Sequence, residues 1–240
     1  MSNITAFITG TSTGIGNSLA RKLLEESSKN LVIGIGRTQK IQEENYRHIT
    51  ADFSNPEEAQ TIDFSSYLSG ESQKVVLINN AGVIDPIAHL GDTENQELIN
   101  HFNINLLAPA LLTNNFISQL SGMGPEKLIL NVSSGAARNP YDGWGCYCSS
   151  KAGLEMLARV VDTEQQLKRN EFKIFSVSPG VIDTPMQDTI RSTDETRFSN
   201  KQKFVNLKKE NLLKDPDKIA EDFSYIIRDP EKHKDLTINL

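Results

Sequence analysis

The chain has 240 residues, a formal net charge of −6 and a pI near 5.3. This acidic balance argues against a nucleic-acid-binding surface, and no apolar run reaches the length of a membrane span. The length suits one α/β domain over residues 1–240. Cys146 and Cys148 are spaced unfavourably for a disulfide with each other, so we expect a reducing, cytoplasmic location. We expect no metal site.

Short β-branched runs alternate with helical patterns along the chain. Strands are predicted over residues 4–9, 31–35, 46–51, 75–78, 128–132, 172–177 and 236–240. Helices are predicted over 15–26, from Asn55-Pro56 onward, over about 93–120, over 145–168 and over 217–227. Pro109 predicts a break in the third helix. The mixed-charge stretch from 191 to 210 reads as a mobile loop or lid. The alternation predicts a Rossmann-type, doubly wound parallel sheet in a single domain.

A glycine-rich loop joins the first predicted strand to the first predicted helix. Its glycines, Gly10, Gly14 and Gly16, permit close approach of the backbone to a ligand, and a helix amino terminus favours an anionic pyrophosphate. The alternative, a turn that simply needs glycine, explains the strand-loop-helix context less well. The predicted dinucleotide-binding segment comprises Gly10, Thr11, Ser12, Thr13, Gly14, Ile15 and Gly16.

The end of the second strand bears on the choice of cofactor. An acidic residue there favours NAD, whereas this chain has Arg37, whose guanidinium can bind a 2′-phosphate. The prediction is therefore NADP(H), with a surface arginine in a turn as the alternative. Asp52 and Phe53 follow the third strand, where the carboxylate could accept from the adenine amino group; helix capping by Asp52 is nearly as good a reading.

Tyr147 and Lys151 stand four residues apart in a predicted helix and therefore share one face. A phenol normally titrates near ~10, and a neighbouring ammonium favours the phenolate. We expect Lys151 to lower the pKa of Tyr147 enough for proton exchange with a substrate.

The ordered set of motifs resembles the short-chain dehydrogenase/reductase family over nearly the whole chain. After the glycine loop come Asn79-Asn80-Ala81-Gly82, Asn105, Ser134, the Tyr147/Lys151 pair and Pro179-Gly180. The resemblance implies an NADPH/NADP cofactor, a small-molecule carbonyl substrate and a homodimer or homotetramer. It also implies further cofactor contacts from Asn80, Ala81, Gly82, Tyr147, Lys151, Pro179, Gly180, Val181 and Thr184.

The same resemblance implies four catalytic residues. Tyr147 is the expected proton donor to the carbonyl oxygen. Lys151 is expected to lower the pKa of Tyr147 and to hold the nicotinamide ribose. Ser134 is expected to donate a hydrogen bond to that oxygen, with Ser133 as the competing serine. Asn105 is expected to hold a water that connects Lys151 to solvent.

A narrower resemblance is to the benzil reductase and sepiapterin reductase-like branch, through the segments 133–147 and 179–187. It implies reduction of a diketone or of a pterin side-chain ketone. The expected substrate residues are Ser134, Tyr141, Trp144, Tyr147 and Met186, under a covering segment at about 186–213; Trp144 could instead only pack the base of the loop.

Two rival functions remain open from the sequence. Asn239 stands where sepiapterin reductases have an acidic anchor for the pterin, which weakens the pterin reading. A catalytically silent NADP(H)-binding sensor is the rival of another class, and retention of both Tyr147 and Lys151 argues against it.

Overall fold

The computed structural model describes residues 3–168 and 171–240. It contains a sheet of seven parallel strands in the order β3-β2-β1-β4-β5-β6-β7. The strands are β1 (Ile4–Thr9), β2 (Leu31–Gly36), β3 (Tyr46–Thr50), β4 (Lys74–Asn79), β5 (Glu126–Val132), β6 (Phe172–Ser178) and β7 (Thr237–Asn239). The central strands β1 and β4 are buried along their whole length because helices cover both faces of the sheet.

Eight α-helices flank the sheet in the described residues. They are α1 (Gly14–Glu26), α2 (Pro56–Gln60), α3 (Asn95–Phe102), α4 (Ala108–Leu120), α5 (Gly145–Leu167), α6 (Pro185–Ser192), α7 (Lys201–Lys209) and α8 (Pro216–Arg228). One core packs α1 and α8 against one face of the sheet, and the other packs α2, α4 and α5 against the opposite face. The predicted doubly wound α/β fold is confirmed.

Two of the helices begin with the same local chemistry. Asn55 and Asp215 each accept a hydrogen bond from the backbone N–H two residues later, at 3.2 and 2.9 Å. Each is followed by a proline, whose fixed φ suits the first turn and whose missing N–H costs nothing there. The sequence therefore determines both helix starts.

The predicted break near Pro109 takes the form of a π-helix. Residues Asn103–Leu107 join α3 to α4 with π-type turns, and the N–H of Ala108 donates to the carbonyl of Asn103. Pro109 has no N–H, so the carbonyl of Asn105, four residues earlier, lacks its usual helical donor. Such π segments often lie at functional sites because they leave backbone groups free.

The prediction of a mobile loop over 191–210 was wrong in its secondary structure. Helix α6 runs into this stretch and α7 occupies its second half. The many charged residues in this stretch are typical of a loop. The helix is stabilised instead by tertiary packing, since Phe198 and Phe204 are buried. Among the described residues, no helix is both long enough and apolar enough to span a membrane.

Candidate active site

Asn80, directly after β4, holds the glycine loop in place through hydrogen bonds. The Asn80 amide donates to the carbonyls of Thr9, at 2.8 Å, and Gly10, at 3.1 Å. A Cβ on Gly16 would overlap both this amide and the Gly10 carbonyl, so Gly16 permits the close packing of α1. Gly10 and Gly14 have φ of +73° and +58°, values that favour glycine.

A buried chain of hydrogen bonds connects the glycine loop to the end of β2. The Thr11 hydroxyl lies 2.7 Å from the Tyr46 hydroxyl, which lies 3.2 Å from Nδ1 of His48. Nε2 of His48 is 3.0 Å from the carbonyl of Gly36, so Nε2 carries the proton and donates. The Tyr46 hydroxyl occupies the space that a side chain at Gly34 would fill. Thr11 is buried, and its side chain supports the loop.

The segment after β2 carries an exposed arginine at the cleft. Arg37 lines the cleft near Asp52 and helps to lower the pKa of that carboxyl group. The larger cause is that Asp52 accepts from the backbone N–H of Ser54, at 3.0 Å. Asp52 therefore lines the cleft and stabilises the turn before α2, but the N-cap of α2 is Asn55, so the helix-capping alternative was wrong and the contact with adenine stays a prediction. Phe53 lies beside it in the cleft wall.

The two neighbouring serines after β5 have different surroundings. The Ser133 hydroxyl donates to the buried carboxylate of Glu155, at 2.8 Å. Ser134 lines the cleft, and its hydroxyl accepts from the N–H of Ala136 at 3.2 Å. The interaction of the Ser134 hydroxyl with Tyr147 favours the phenolate. Ser134 is therefore the serine available to a ligand at the tyrosine.

Tyr147 and Lys151 lie on the first two turns of α5, as predicted. The ammonium of Lys151 is 5.8 Å from the centre of the tyrosine ring and donates to the carbonyl of Val132 at 2.7 Å. Burial lowers the pKa of Lys151 to about 8 and raises the pKa of Tyr147. Contrary to expectation the pKa of Tyr147 is raised, and the group that opposes this rise is the Ser134 hydroxyl rather than Lys151.

Asn105 lies in the π-helix and holds the loop after β4. Its Oδ1 accepts from the N–H of Val83 at 2.8 Å, and its Nδ2 donates to the carbonyl of the same residue at 2.7 Å. Gly82 packs against this amide, since a Cβ there would stand 3.4 Å from Oδ1. The Asn105 side chain is thus engaged within the protein and does not line the cleft.

The loop after β6 forms the opposite rim of the cleft. Pro179, Gly180, Val181 and Thr184 all line the cleft. The segment before α8 fixes this loop, because the N–H of Lys214 donates to the carbonyl of Val181 at 2.9 Å. This pairing orients the loop toward the cleft.

Aromatic side chains wall the part of the cleft next to Tyr147. The indole of Trp144 is stacked on Phe198, with centroids 4.7 Å apart, and meets Tyr147 edge to face at 5.6 Å. Tyr141 and Phe204 complete this aromatic cluster, at 5.0 and 5.4 Å from Trp144. Trp144 thus lines the cleft and packs the loop, while Met186 lines the same region.

Asp142 fastens the segment over the aromatic cluster. Its two carboxylate oxygens accept from the backbone N–H and the hydroxyl of Ser199, each at 2.8 Å. Gly143 permits the close approach, because a Cβ there would overlap the carbonyl of Arg197. Lys208, in α7, also forms an ion pair with Asp183, in the loop after β6, at 2.6 Å.

These residues surround one cleft of about 770 Å³ at the carboxyl end of the sheet. The cleft is lined by every site residue predicted from the sequence except Gly16 and Asn105. The cradle of φ-positive glycines at the start of α1 fits a pyrophosphate, and the volume suits a dinucleotide with a small substrate.

Comparison with known proteins identifies the family. The model of the short chain dehydrogenase family matches residues 4–195, and the chain belongs to this family of oxidoreductases. Two solved structures share the fold and contain a cofactor: a serine dehydrogenase in complex with NADP+ (TM-score 0.75, 19% identity) and a 3-ketoacyl-(acyl-carrier-protein) reductase from Brucella melitensis in complex with NADH (TM-score 0.79, 20% identity).

Particular relatives narrow the resemblance to the predicted branch. The chain is 37% identical to "Benzil reductase ((S)-benzoin forming)" of Bacillus cereus, over 89% of both chains. It is 35% identical to the sepiapterin reductase of Rattus norvegicus, over 50% of this chain and 46% of the relative. A short chain dehydrogenase/reductase from Saccharomyces cerevisiae superposes with a TM-score of 0.82 at 22% identity, covering 99% of this chain and 96% of that one.

Several residues of the site were missed by sequence reasoning. Tyr46 and His48 support the glycine loop, Asp142 fastens the covering segment, and His101 touches Asn105. Each residue also has a partner distant in sequence, Thr11 or Gly36 for the first pair, Ser199 for Asp142 and Ser150 for His101, so no local pattern reveals the role. Glycine at position 34, inside a strand, was the one available signal, because such a glycine often admits the close approach of another group.

Proposed function

We propose that this enzyme is an NADPH-dependent reductase of ketones, with one carbonyl of an aromatic or vicinal diketone as its substrate. The observation that carries this proposal is the position of Tyr147. Its buried ring meets the indole of Trp144 edge to face at 5.6 Å and lies 5.8 Å from the ammonium of Lys151, and its hydroxyl interacts with that of Ser134. A proton donor set in an aromatic wall suits a ketone that carries an aromatic group.

Arg37 supports the preference for NADPH. Its guanidinium is exposed at the cleft beyond β2, and the following residues, Thr38 to Lys40, include no acid. The phosphate-binding residues are those of the glycine loop at the start of α1, and the Pro179–Thr184 loop forms the nicotinamide end. When bound, NADPH supplies a hydride to the carbonyl carbon.

The side chains then have separate roles. Ser134 donates a hydrogen bond to the substrate oxygen and stabilises the negative charge that develops there. Tyr147 donates its proton to the same oxygen, and the product is an alcohol. Lys151, with a pKa of about 8, exchanges protons readily near neutrality and returns one to Tyr147. The backbone carbonyl of Asn105, which lacks its usual helical donor because of Pro109, is the group that holds the water connecting Lys151 to solvent.

A pterin substrate has less support from the site. Asn239 accepts a hydrogen bond from the Arg138 guanidinium at 2.8 Å and does not line the cleft. It therefore offers no anchor to a pterin amino group. A catalytically silent sensor is disfavoured because Tyr147 and Lys151 are both present and both face the cleft.

We also propose a homodimer or homotetramer in the cytoplasm. Exposed apolar side chains lie along α3, the π-helix and α5: Ile99, Leu107, Met156 and Val160. Their grouping on neighbouring helices supports an interface between copies. Light scattering after size exclusion tests the assembly, and a monomer at micromolar concentration would contradict it.

The test of the function is NADPH oxidation, followed by absorbance, with benzil, 1-phenyl-1,2-propanedione, quinones, pterins that carry a side-chain ketone, and ketosteroids. We expect the diketones to be reduced fastest. Tyr147→Phe should lower kcat by roughly 10²- to 10⁴-fold, because the proton donor is lost, while the NADPH dissociation constant stays nearly unchanged. Tight NADPH binding without turnover of any carbonyl would favour the sensor, and full activity of the variant would exclude the proposed mechanism.

A further inference from the structure

His101 is a buried histidine that joins three parts of the active site. It is the buried residue of α3, only 1% exposed. Its Nδ1 lies 2.7 Å from the carbonyl of Asp85, in the loop after β4. Its Nε2 lies 3.0 Å from Nδ2 of Asn105 and 3.0 Å from the hydroxyl of Ser150, one residue before Lys151.

The partners of the ring determine where its proton lies. The Asp85 carbonyl can only accept, so Nδ1 carries the proton and Nε2 of the neutral ring accepts. The Ser150 hydroxyl has one proton and lies 3.0 Å from both the carbonyl of Tyr147 and Nε2 of His101, so it can donate to either acceptor. The second Nδ2 proton of Asn105 points to Nε2 of His101. Every donor in this network then has an acceptor.

The same network restrains the catalytic elements. The Asn105 amide bonds to Val83 through both of its ends, and His101 takes its remaining proton. The His101 ring also lies edge to face with Tyr147, at 6.3 Å between centroids. The histidine thus ties the π-helix to the loop after β4 and to the first turns of α5.

We propose that neutral His101, with its proton on Nδ1, is a positioning residue that orients Asn105 and the start of α5 for the reaction. This rests on the proposed function, since Asn105 and Tyr147 are its proposed catalytic groups. His101 does not line the cleft and acts through Asn105.

Protonation of His101 would oppose this arrangement. An Nε2 proton would face the Nδ2 protons of Asn105, and one of the two groups would have to move. The titratable groups around the ring are Lys151, Tyr147 and Cys146 on α5, Asp85, and Glu97 one turn earlier on α3. Burial, and after it the charge of Lys151, lower the pKa of His101, against the opposing bond to the Asp85 carbonyl. The neutral ring is therefore retained below the ordinary histidine pKa.

Kinetics of three variants test the role. His101→Phe keeps an aromatic ring without hydrogen bonds, His101→Gln keeps an acceptor for Asn105, and His233→Gln is the control. With benzil, His101→Phe should lower kcat roughly 10- to 100-fold, with little change in the NADPH dissociation constant measured by fluorescence. His101→Gln should retain most of the activity and should lack the fall of kcat that we expect of the wild type at the acid pH where His101 gains its second proton. Equal losses in His101→Phe and His101→Gln would overturn the proposal.

A double-mutant comparison separates positioning from general damage. If His101 acts through Asn105, adding His101→Phe to an enzyme that already carries Asn105→Ala should lower kcat only slightly further. Full additivity of the two losses would contradict this.

Nitrogen NMR of the wild type gives a readout that needs neither turnover nor a variant that folds. We expect a protonated Nδ1 and an unprotonated Nε2 that persist below pH 6.5. A proton on Nε2, or an ordinary titration, would overturn the proposal even if diketones are reduced. The expected NMR result without diketone turnover would leave the histidine assignment supported and the proposed substrate refuted.

Discussion

The two halves of the cleft are held together by different means. The cofactor half depends on glycines and on hydrogen bonds shielded from water, such as the buried one from Thr11 to Tyr46 and the partly buried one from Asn80 to the carbonyl of Thr9. The substrate half depends on aromatic stacking, and its fastenings, Asp142 to Ser199 and Lys208 to Asp183, are exposed to water.

This difference has a physical consequence. Buried hydrogen bonds are costly to break because the separated groups find no water, whereas exposed ones exchange with solvent easily. The cofactor half is therefore organised before binding, and the substrate half is the part that can open. We therefore propose that the substrate enters through movement of the 186–213 segment.

The largest expected effect is on the free energy of unfolding and follows from substitution of Lys151, which lies where the two halves meet. A lysine with a folded pKa of about 8 binds a proton less readily than in the unfolded chain, where its pKa is near 10.5. Its burial therefore opposes folding at pH 7, by about 3 kcal/mol, and this penalty disappears as pH rises from 8 to 10.5. Lys151→Met should stabilise the protein at pH 7, with a gain that shrinks toward pH 10, in urea unfolding.

The control for this prediction is Lys127→Met. Lys127 is equally buried but pairs with Glu171 at 2.9 Å, so its loss should destabilise the protein. Destabilisation by both substitutions at pH 7 would contradict the proposed cost of burying Lys151.

Arg37→Asp should change cofactor choice within the cofactor half. The carboxylate repels a 2′-phosphate and can accept from a ribose hydroxyl. We expect NADPH to bind roughly 10- to 100-fold more weakly and NADH no more weakly than before, by fluorescence titration. Lys40→Asp, in the same exposed segment but outside the cleft, should leave the ratio unchanged. An unaltered ratio in Arg37→Asp would refute the role of the arginine.

Tyr46→Phe tests whether the buried chain organises the glycine loop. Loss of the hydroxyl leaves Thr11 without its partner, so the dissociation constants of NADPH and NADH should both rise roughly three- to tenfold. In contrast to Arg37→Asp, the ratio between the two cofactors should stay the same, and kcat at saturating NADPH should be retained. Tyr225→Phe is the control on the protein surface. A change confined to NADPH would place Tyr46 at the 2′-phosphate instead.

Asp142→Asn should have the smallest effect and should act only on the substrate half. The amide accepts less strongly from Ser199, so the KM for benzil should rise roughly two- to fivefold while the NADPH dissociation constant stays constant. Asp63→Asn is matched, because Asp63 accepts from the N–H and hydroxyl of Ser65 in the same way but far from the cleft. Weaker NADPH binding in Asp142→Asn would show that the two halves are not separable.

The cofactor half was also the easier half to predict from the sequence. Strand, glycine loop and helix follow each other within the first 26 residues, so local patterns determine them. Helix α7 was missed because its charged surface resembles a loop, and its helical form depends on Phe204 reaching Trp144, sixty residues earlier. His101 escaped notice for a similar reason, since Asp85 and Ser150 are 16 and 49 residues away.

The meeting of Tyr46 with Gly34 also constrains how the sequence can vary. The smallest possible enlargement, Gly34→Ala, would overlap both the Tyr46 hydroxyl and the Thr11 hydroxyl, and so disturb the glycine loop through Thr11. A smaller residue at 46 would relieve the overlap with the tyrosine, but the overlap with Thr11 would remain and the Thr11 hydroxyl would lose its partner. The two positions form a matched pair across β2 and β3, and in related chains we expect them to change together.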